Sequence, residues 1–135
     1  IRDSLSSYLK SEDNKITILN FWATWCPPCI DELPSLYNLS KDLMAYNIDV
    51  LAVSMDRGNP LKLTKFLEKN GGKNLIFFQD KNWSAGKSIP IRGLPVTLIV
   101  KNRDDILKII YKHLGPLEWD HKDIKRGILN LVNNS

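Results

Sequence analysis

The stretch Phe21-Trp22-Ala23-Thr24-Trp25-Cys26-Pro27-Pro28-Cys29 decides the reading of this chain, and it holds both cysteines of the sequence. An apolar run ends there, and two prolines stand where a helix would begin. Side chains three apart in a regular helix have Cβ atoms about 5–6 Å apart, whereas a disulfide needs about 3.5–4.5 Å. Cys26 must therefore sit outside helical dihedrals, as the N-cap, to reach Cys29 in the first turn. Pro27 and Pro28 suit that turn because their fixed φ matches it.

The pair reads as a reversible dithiol. Cys26 faces the positive end of the helix dipole and is expected to be the more exposed thiol, which favours its thiolate. The two prolines take away N–H donors that would solvate that thiolate, so a moderate lowering of its pKa is expected, and a reducing pair. A purely structural disulfide would close too small a loop to constrain the unfolded chain. A closed zinc site needs four ligands, and the two histidines, His113 and His121, are remote and wrongly spaced. No metal and no cofactor are expected.

The surrounding chain is ordinary globular material. At 135 residues, with 43% hydrophobic and 25% charged residues, it reads as one domain over 1–135 with enough bulk for a core. The net charge is +4, but the 19 basic residues are scattered among acids, without a basic block interleaved with aromatics. Nucleic-acid binding is therefore not expected. No apolar run approaches the roughly 18 residues of a membrane span, and no signal peptide is visible. The first residue is Ile rather than Met, so the sequence reads as trimmed, with an upstream signal or membrane anchor left open.

Hydrophobic periodicity supplies the elements. Leu5, Tyr8 and Leu9 form a weak helical face over 2–10, and Lys15–Phe21 reads as a buried strand. From Pro27 to about Tyr46, Ile30, Leu33, Leu36, Leu39 and Leu43 recur at helical spacing, with a kink expected at Pro34. Ile48–Ser54 is a second strand. Asn59-Pro60 opens a helix to about Asn70, stopped by Gly71-Gly72. Leu75–Gln79 is a third strand and Trp83–Lys87 a short helix. Pro95–Lys101 and Ile106–His113 are strands joined by a turn over Asn102–Asp105. A last helix starts near Trp119 or Asp120 and carries Ile124, Ile128, Leu129 and Val132 on one face. This order predicts an α/β fold with a mixed central sheet flanked by helices.

The nine-residue motif, with Glu32 and Pro34 after it, Ile-Arg-Gly-Leu-Pro-Val-Thr at 91–97 and Gly115, resembles the thioredoxin superfamily, in particular its TlpA/ResA-like thiol-disulfide reductases. The likeness spans about residues 1–133 and implies a thioredoxin-like fold, with Met55 to Lys87 as this branch's central insertion. It implies Cys26 as nucleophile, Cys29 as resolving thiol, Trp25 as the indole beside the pair, and Pro27 and Pro28 as part of the substrate-facing loop. Trp22 is assigned to the core. Pro95 matches the family's cis-proline, with the Leu94 backbone pairing with an extended substrate segment. Two positions depart from thioredoxin itself. Asn20 stands where a buried acid would, and Glu32 takes the place of an active-site carboxylate that would manage the proton of Cys29. The alternative for Glu32 is a first-turn acid that complements the helix dipole; Asp31 reads as solvated surface.

The resemblance further implies protein disulfides as substrates and an upstream thiol donor, such as a membrane thiol-reductant conduit. The expected setting is extracytoplasmic and the expected state monomeric. Cytochrome c maturation or metal-site assembly are the tasks it implies. Two other readings stay open: a cytoplasmic tryparedoxin- or nucleoredoxin-like reductase, and a redox-regulated binding module without turnover.

Overall fold

Seven consecutive buried residues, Ile16–Trp22, form β1. Burial along a whole strand, rather than at alternate positions, marks a strand covered on both faces. The computed structural model describes residues 2–80 and 93–135. In it β1 is the middle strand of five, ordered β3-β2-β1-β4-β5. β2 (Ile48–Ser54) and β3 (Ile76–Gln79) extend the sheet in parallel on one side. β4 (Val96–Arg103) and β5 (Ile106–Leu114) continue it antiparallel on the other. Arg103 pairs with Ile106 across a two-residue turn in which Asp104 and Asp105 both take positive φ, as a right-twisted hairpin requires.

Helices join and flank the strands: α1 (Arg2–Leu9), α2 (Pro27–Asp31), α3 (Leu33–Leu43), α4 (Pro60–Lys69) and α5 (Lys122–Asn133). The helix expected over 27–46 is three pieces, because the chain breaks at Glu32 and finishes in a 3-10 turn over Met44–Tyr46. Pro34 has no N–H to offer the carbonyl of Ile30, and the Glu32 amide donates to that carbonyl instead. Pro34 thus falls in the first turn of a new helix, where it is tolerated. Leu33, Leu36, Leu39 and Leu43 are buried, as their spacing implies. The last helix starts later than expected, since the His121 side chain caps it by accepting from the Asp123 amide at 3.1 Å. α5 is linked to α3 by Lys125 to Asp42 at 3.9 Å, and Asn38 of α3 donates to Asp120, just before α5, at 2.8 Å. The short helix expected over 83–87 lies outside the described residues.

Away from the motif, Tyr8 of α1 donates its hydroxyl to Asp49 at 2.7 Å, beside the buried Lys15 ammonium. Burial and the Asp49 carboxylate push the Tyr8 hydroxyl up to about 12. α1 is fastened to the sheet by this contact.

After α4 the chain turns at Gly71, with φ of +82°, and passes so close to α3 that a Cβ there would lie 2.7 Å from the Pro34 ring. Gly71→Ala should therefore cost about 1–3 kcal/mol of stability, read from the urea midpoint. An unchanged midpoint would contradict this close approach.

Candidate active site

The motif lies at the end of β1. After Ala23–Trp25 the chain reaches Cys26, which caps α2 with extended dihedrals (φ −116°, ψ 96°) and donates its amide to Ala23 at 3.2 Å. Cys26 and Cys29 are joined as a disulfide with Cα atoms 5.3 Å apart. Cys26 retains 6% exposure and Cys29 none, so the two sulfurs are unequal in access. The loop before Cys26 is tied down through Thr24. Its hydroxyl and amide donate to the Asp56 carboxylate at 2.7 and 3.1 Å, and Ser54 donates to the same carboxylate at 2.7 Å.

The other residues singled out in the sequence take distinct positions. Trp25 is 60% exposed, while Trp22 is wholly buried and stacked on Phe66 of α4. Pro27, Pro28 and Asp31 are exposed. The Leu94–Pro95 peptide is cis. Pro95 directly precedes Val96, the partner of Phe21 in the β1–β4 ladder, so it stands at the end of the sheet that carries the motif. Its carbonyl accepts the amide of Gly115, which has φ of +92°, at 2.9 Å. Leu94 is half-buried beside it. Residues 91 and 92 of the expected motif lie outside the described residues.

Glu32 is only 3% exposed. At the break Glu32 ends α2 and is the N-cap residue of α3, and its side chain makes no capping hydrogen bond. Three N–H groups meet its carboxylate. Asn20 Nδ2 donates to Oε1 at 2.7 Å; Trp119 Nε1 and the Leu117 amide donate to Oε2 at 2.7 and 3.2 Å. Burial pushes the Glu32 carboxyl above its ordinary range, and the three hydrogen bonds pull the other way without cancelling that effect.

Strand register explains this gathering. Asn20 of β1 pairs with Thr97 of β4, and Thr97 pairs with His113 of β5. Cross-strand partners share a face, so the three form one polar row. Asn20 Nδ2 also donates to the Thr97 hydroxyl at 2.9 Å, and His113 stands edge-on to Trp119 with ring centres 5.8 Å apart. Sequence reading did not single out Thr97, Leu117, Trp119 or Asp56. Trp119 read there as the start of a helix, and the strand pairing that aligns Thr97 with Asn20 is not a local signal.

Residues 4–128 match the Redoxin family model. Thiol-disulfide oxidoreductase ResA of Oceanobacillus iheyensis is 31% identical over 130 residues, which is 95% of this chain and 62% of that protein. Thiol:disulfide interchange protein HelX of Rhodobacter capsulatus is 32% identical over 108 residues, 80% of this chain and 57% of that protein. The chain thus spans less than two thirds of either relative. Among solved structures, StoA from Bacillus subtilis superposes with a TM-score of 0.68 at 20% identity, covering 89% of this chain and 84% of that one. The exposed lipoprotein thioredoxin of Streptococcus pneumoniae gives 0.71 at 22% identity, covering 96% and 90%. The fold is thioredoxin-like, as the sequence implied.

The raised Glu32 pKa has a defined sign in stability. The folded protein holds this proton over a pH range where the unfolded chain has released it. The stabilisation is full below the ordinary value of 4.5 and is lost as pH rises through the folded value. Glu32→Gln cannot titrate, so urea midpoints of the oxidised variant should fall less steeply with pH above 4.5 than those of the parent. Equal slopes would contradict the burial effect.

Proposed function

The chain belongs to the Redoxin family, and on that footing we propose that it is a thiol-disulfide oxidoreductase that reduces protein disulfides. The observation that carries this reading is the cap geometry. A slightly accessible Cys26 is joined to a wholly buried Cys29, with the buried Glu32 carboxylate three residues further on. The relatives named thiol-disulfide oxidoreductase and thiol:disulfide interchange protein support it. We assign all of 1–135 to one thioredoxin-like domain with 55–87 as its central insertion.

The reaction starts from the reduced dithiol. The Cys26 thiolate attacks one sulfur of a substrate disulfide, forming a Cys26–substrate bond and releasing the other substrate sulfur as a thiolate, which takes a proton from solvent. The Cys29 thiol then gives its proton to the Glu32 carboxylate. The Cys29 sulfur attacks Cys26, forming the intramolecular disulfide and releasing the second substrate sulfur as a thiolate, which takes a proton from solvent. Two electrons pass from the pair to the substrate, and an external dithiol must return them. Trp25, Pro27 and Pro28 offer exposed surface beside Cys26, and the Leu94 backbone before Pro95 offers the edge on which an extended substrate segment would pair. The TlpA/ResA-like relationship favours an extracytoplasmic setting, a membrane thiol-reductant conduit as donor, and a role in cytochrome c maturation or metal-site assembly.

Reduction of insulin by dithiothreitol should be accelerated by the parent protein and fall to background with Cys26→Ser. Cys29→Ser should accumulate a mixed disulfide on Cys26, visible by mass spectrometry of intact protein. Parent-like turnover by Cys26→Ser would refute the reading.

A further inference from the structure

We propose that Trp119 is a positioning residue for Glu32: its indole N–H, together with the Leu117 amide, fixes the carboxylate so that Oε1 is the oxygen left to take up the proton. This rests on the proposed role of Glu32 as acceptor of the Cys29 proton.

The 117–119 segment is fastened to the helix break at several points. Leu117 and Trp119 donate to Oε2. The Trp119 amide also donates to the Ser35 hydroxyl at 3.1 Å, and that hydroxyl donates to the Glu32 carbonyl at 3.0 Å. An aromatic that merely filled the core would not need such aim, and the molecule contains a comparison. Trp22 is just as buried, yet its indole N–H has no hydrogen-bond partner among the described residues.

The consequence concerns where a proton can sit. Each carboxylate oxygen offers about two acceptor directions. Two N–H donors occupy Oε2, which leaves Oε1, where Asn20 supplies a single donor. A proton on Oε1 needs an acceptor. Asn20 Oδ1 is buried and has no partner among the described residues. Turning that amide by 180° exchanges Nδ2 for Oδ1, which then accepts from both the Glu32 hydroxyl and the Thr97 hydroxyl. Asn20 can thus serve either protonation state, whereas an acid there would set two carboxylates against each other.

Among the described residues, the other ionisable groups around this arrangement are His113 of β5 against Trp119, the Cys26–Cys29 pair at the start of α2, and Asp31, Glu118 and Asp120, which line a surface pocket beside Glu32. None of these acids accepts the Trp119 indole N–H, so that donor can be removed separately.

The test is the pH dependence of single-turnover reduction of a peptide disulfide by the reduced protein. The limb belonging to Glu32 is the one that Glu32→Gln abolishes. Trp119→Phe removes one donor to the charged form, so this limb should move to higher pH by about one unit, the size of one hydrogen bond to a charged acceptor. In the Glu32→Gln background Trp119→Phe should produce no such movement. Site-specific replacement of Trp119 by β-(3-benzothienyl)alanine keeps the ring shape without the N–H. It should give the same displacement, including where the smaller Phe impairs folding. If Glu32→Gln abolishes a limb that both Trp119 replacements leave in place, the positioning role is overturned and the Glu32 role stands. If Glu32→Gln abolishes no limb, both fall.

Discussion

A carboxylate taken out of water must be given hydrogen-bond donors or carry a heavy cost, on the order of several kcal/mol. Glu32 meets that requirement with three donors from two separate parts of the chain: Asn20 of β1, and the Leu117 amide and Trp119 indole of the segment after β5. Supplying them makes definite demands on the fold. The helix after Cys29 must break so that the side chain turns inward. β1 must present Asn20 on the matching face, and the chain beyond β5 must fold back over the break. The same break separates the short redox helix from the longer α3, so the carboxylate and the dithiol share one structural cause.

How much of this was legible in the sequence follows from the range of each signal. The Cys26 cap was legible because it follows from the mismatch between helix spacing and disulfide reach, both local quantities. The strands and the buried leucines of α3 were legible from period alone. The helix boundaries were less so. Pro34 announced an interruption, but the break falls at Glu32 because proline is accommodated in a first turn and the Glu32 amide satisfies the Ile30 carbonyl. His121 as a cap moved the start of α5. The polar row Asn20–Thr97–His113 was invisible, since its members lie far apart in sequence and only the antiparallel register aligns them. Glu32 drew attention through the family resemblance, while its donors could not be named before the fold was known.

The disulfide and the buried carboxylate are held by different parts of the chain. The sulfurs belong to the N-cap and first turn of α2, with the preceding loop tied to Asp56 through Thr24. The hydrogen-bond donors to Glu32 belong to the sheet face and the segment after β5. Burial favours the protonated acid, the three N–H groups favour the anion, and the balance leaves the carboxyl above its ordinary range. That balance is what the proposed exchange of a proton with the Cys29 thiol calls on.

The coupling between that proton and the disulfide is the central claim, and carboxyl carbon NMR of selectively labelled glutamate tests it most directly. The Glu32 signal, assigned with Glu32→Gln, should be titrated in the oxidised and in the reduced protein. The expected result is a midpoint above the ordinary glutamate range in the oxidised state that moves when the disulfide is reduced. An ordinary midpoint, the same in both redox states, would contradict it.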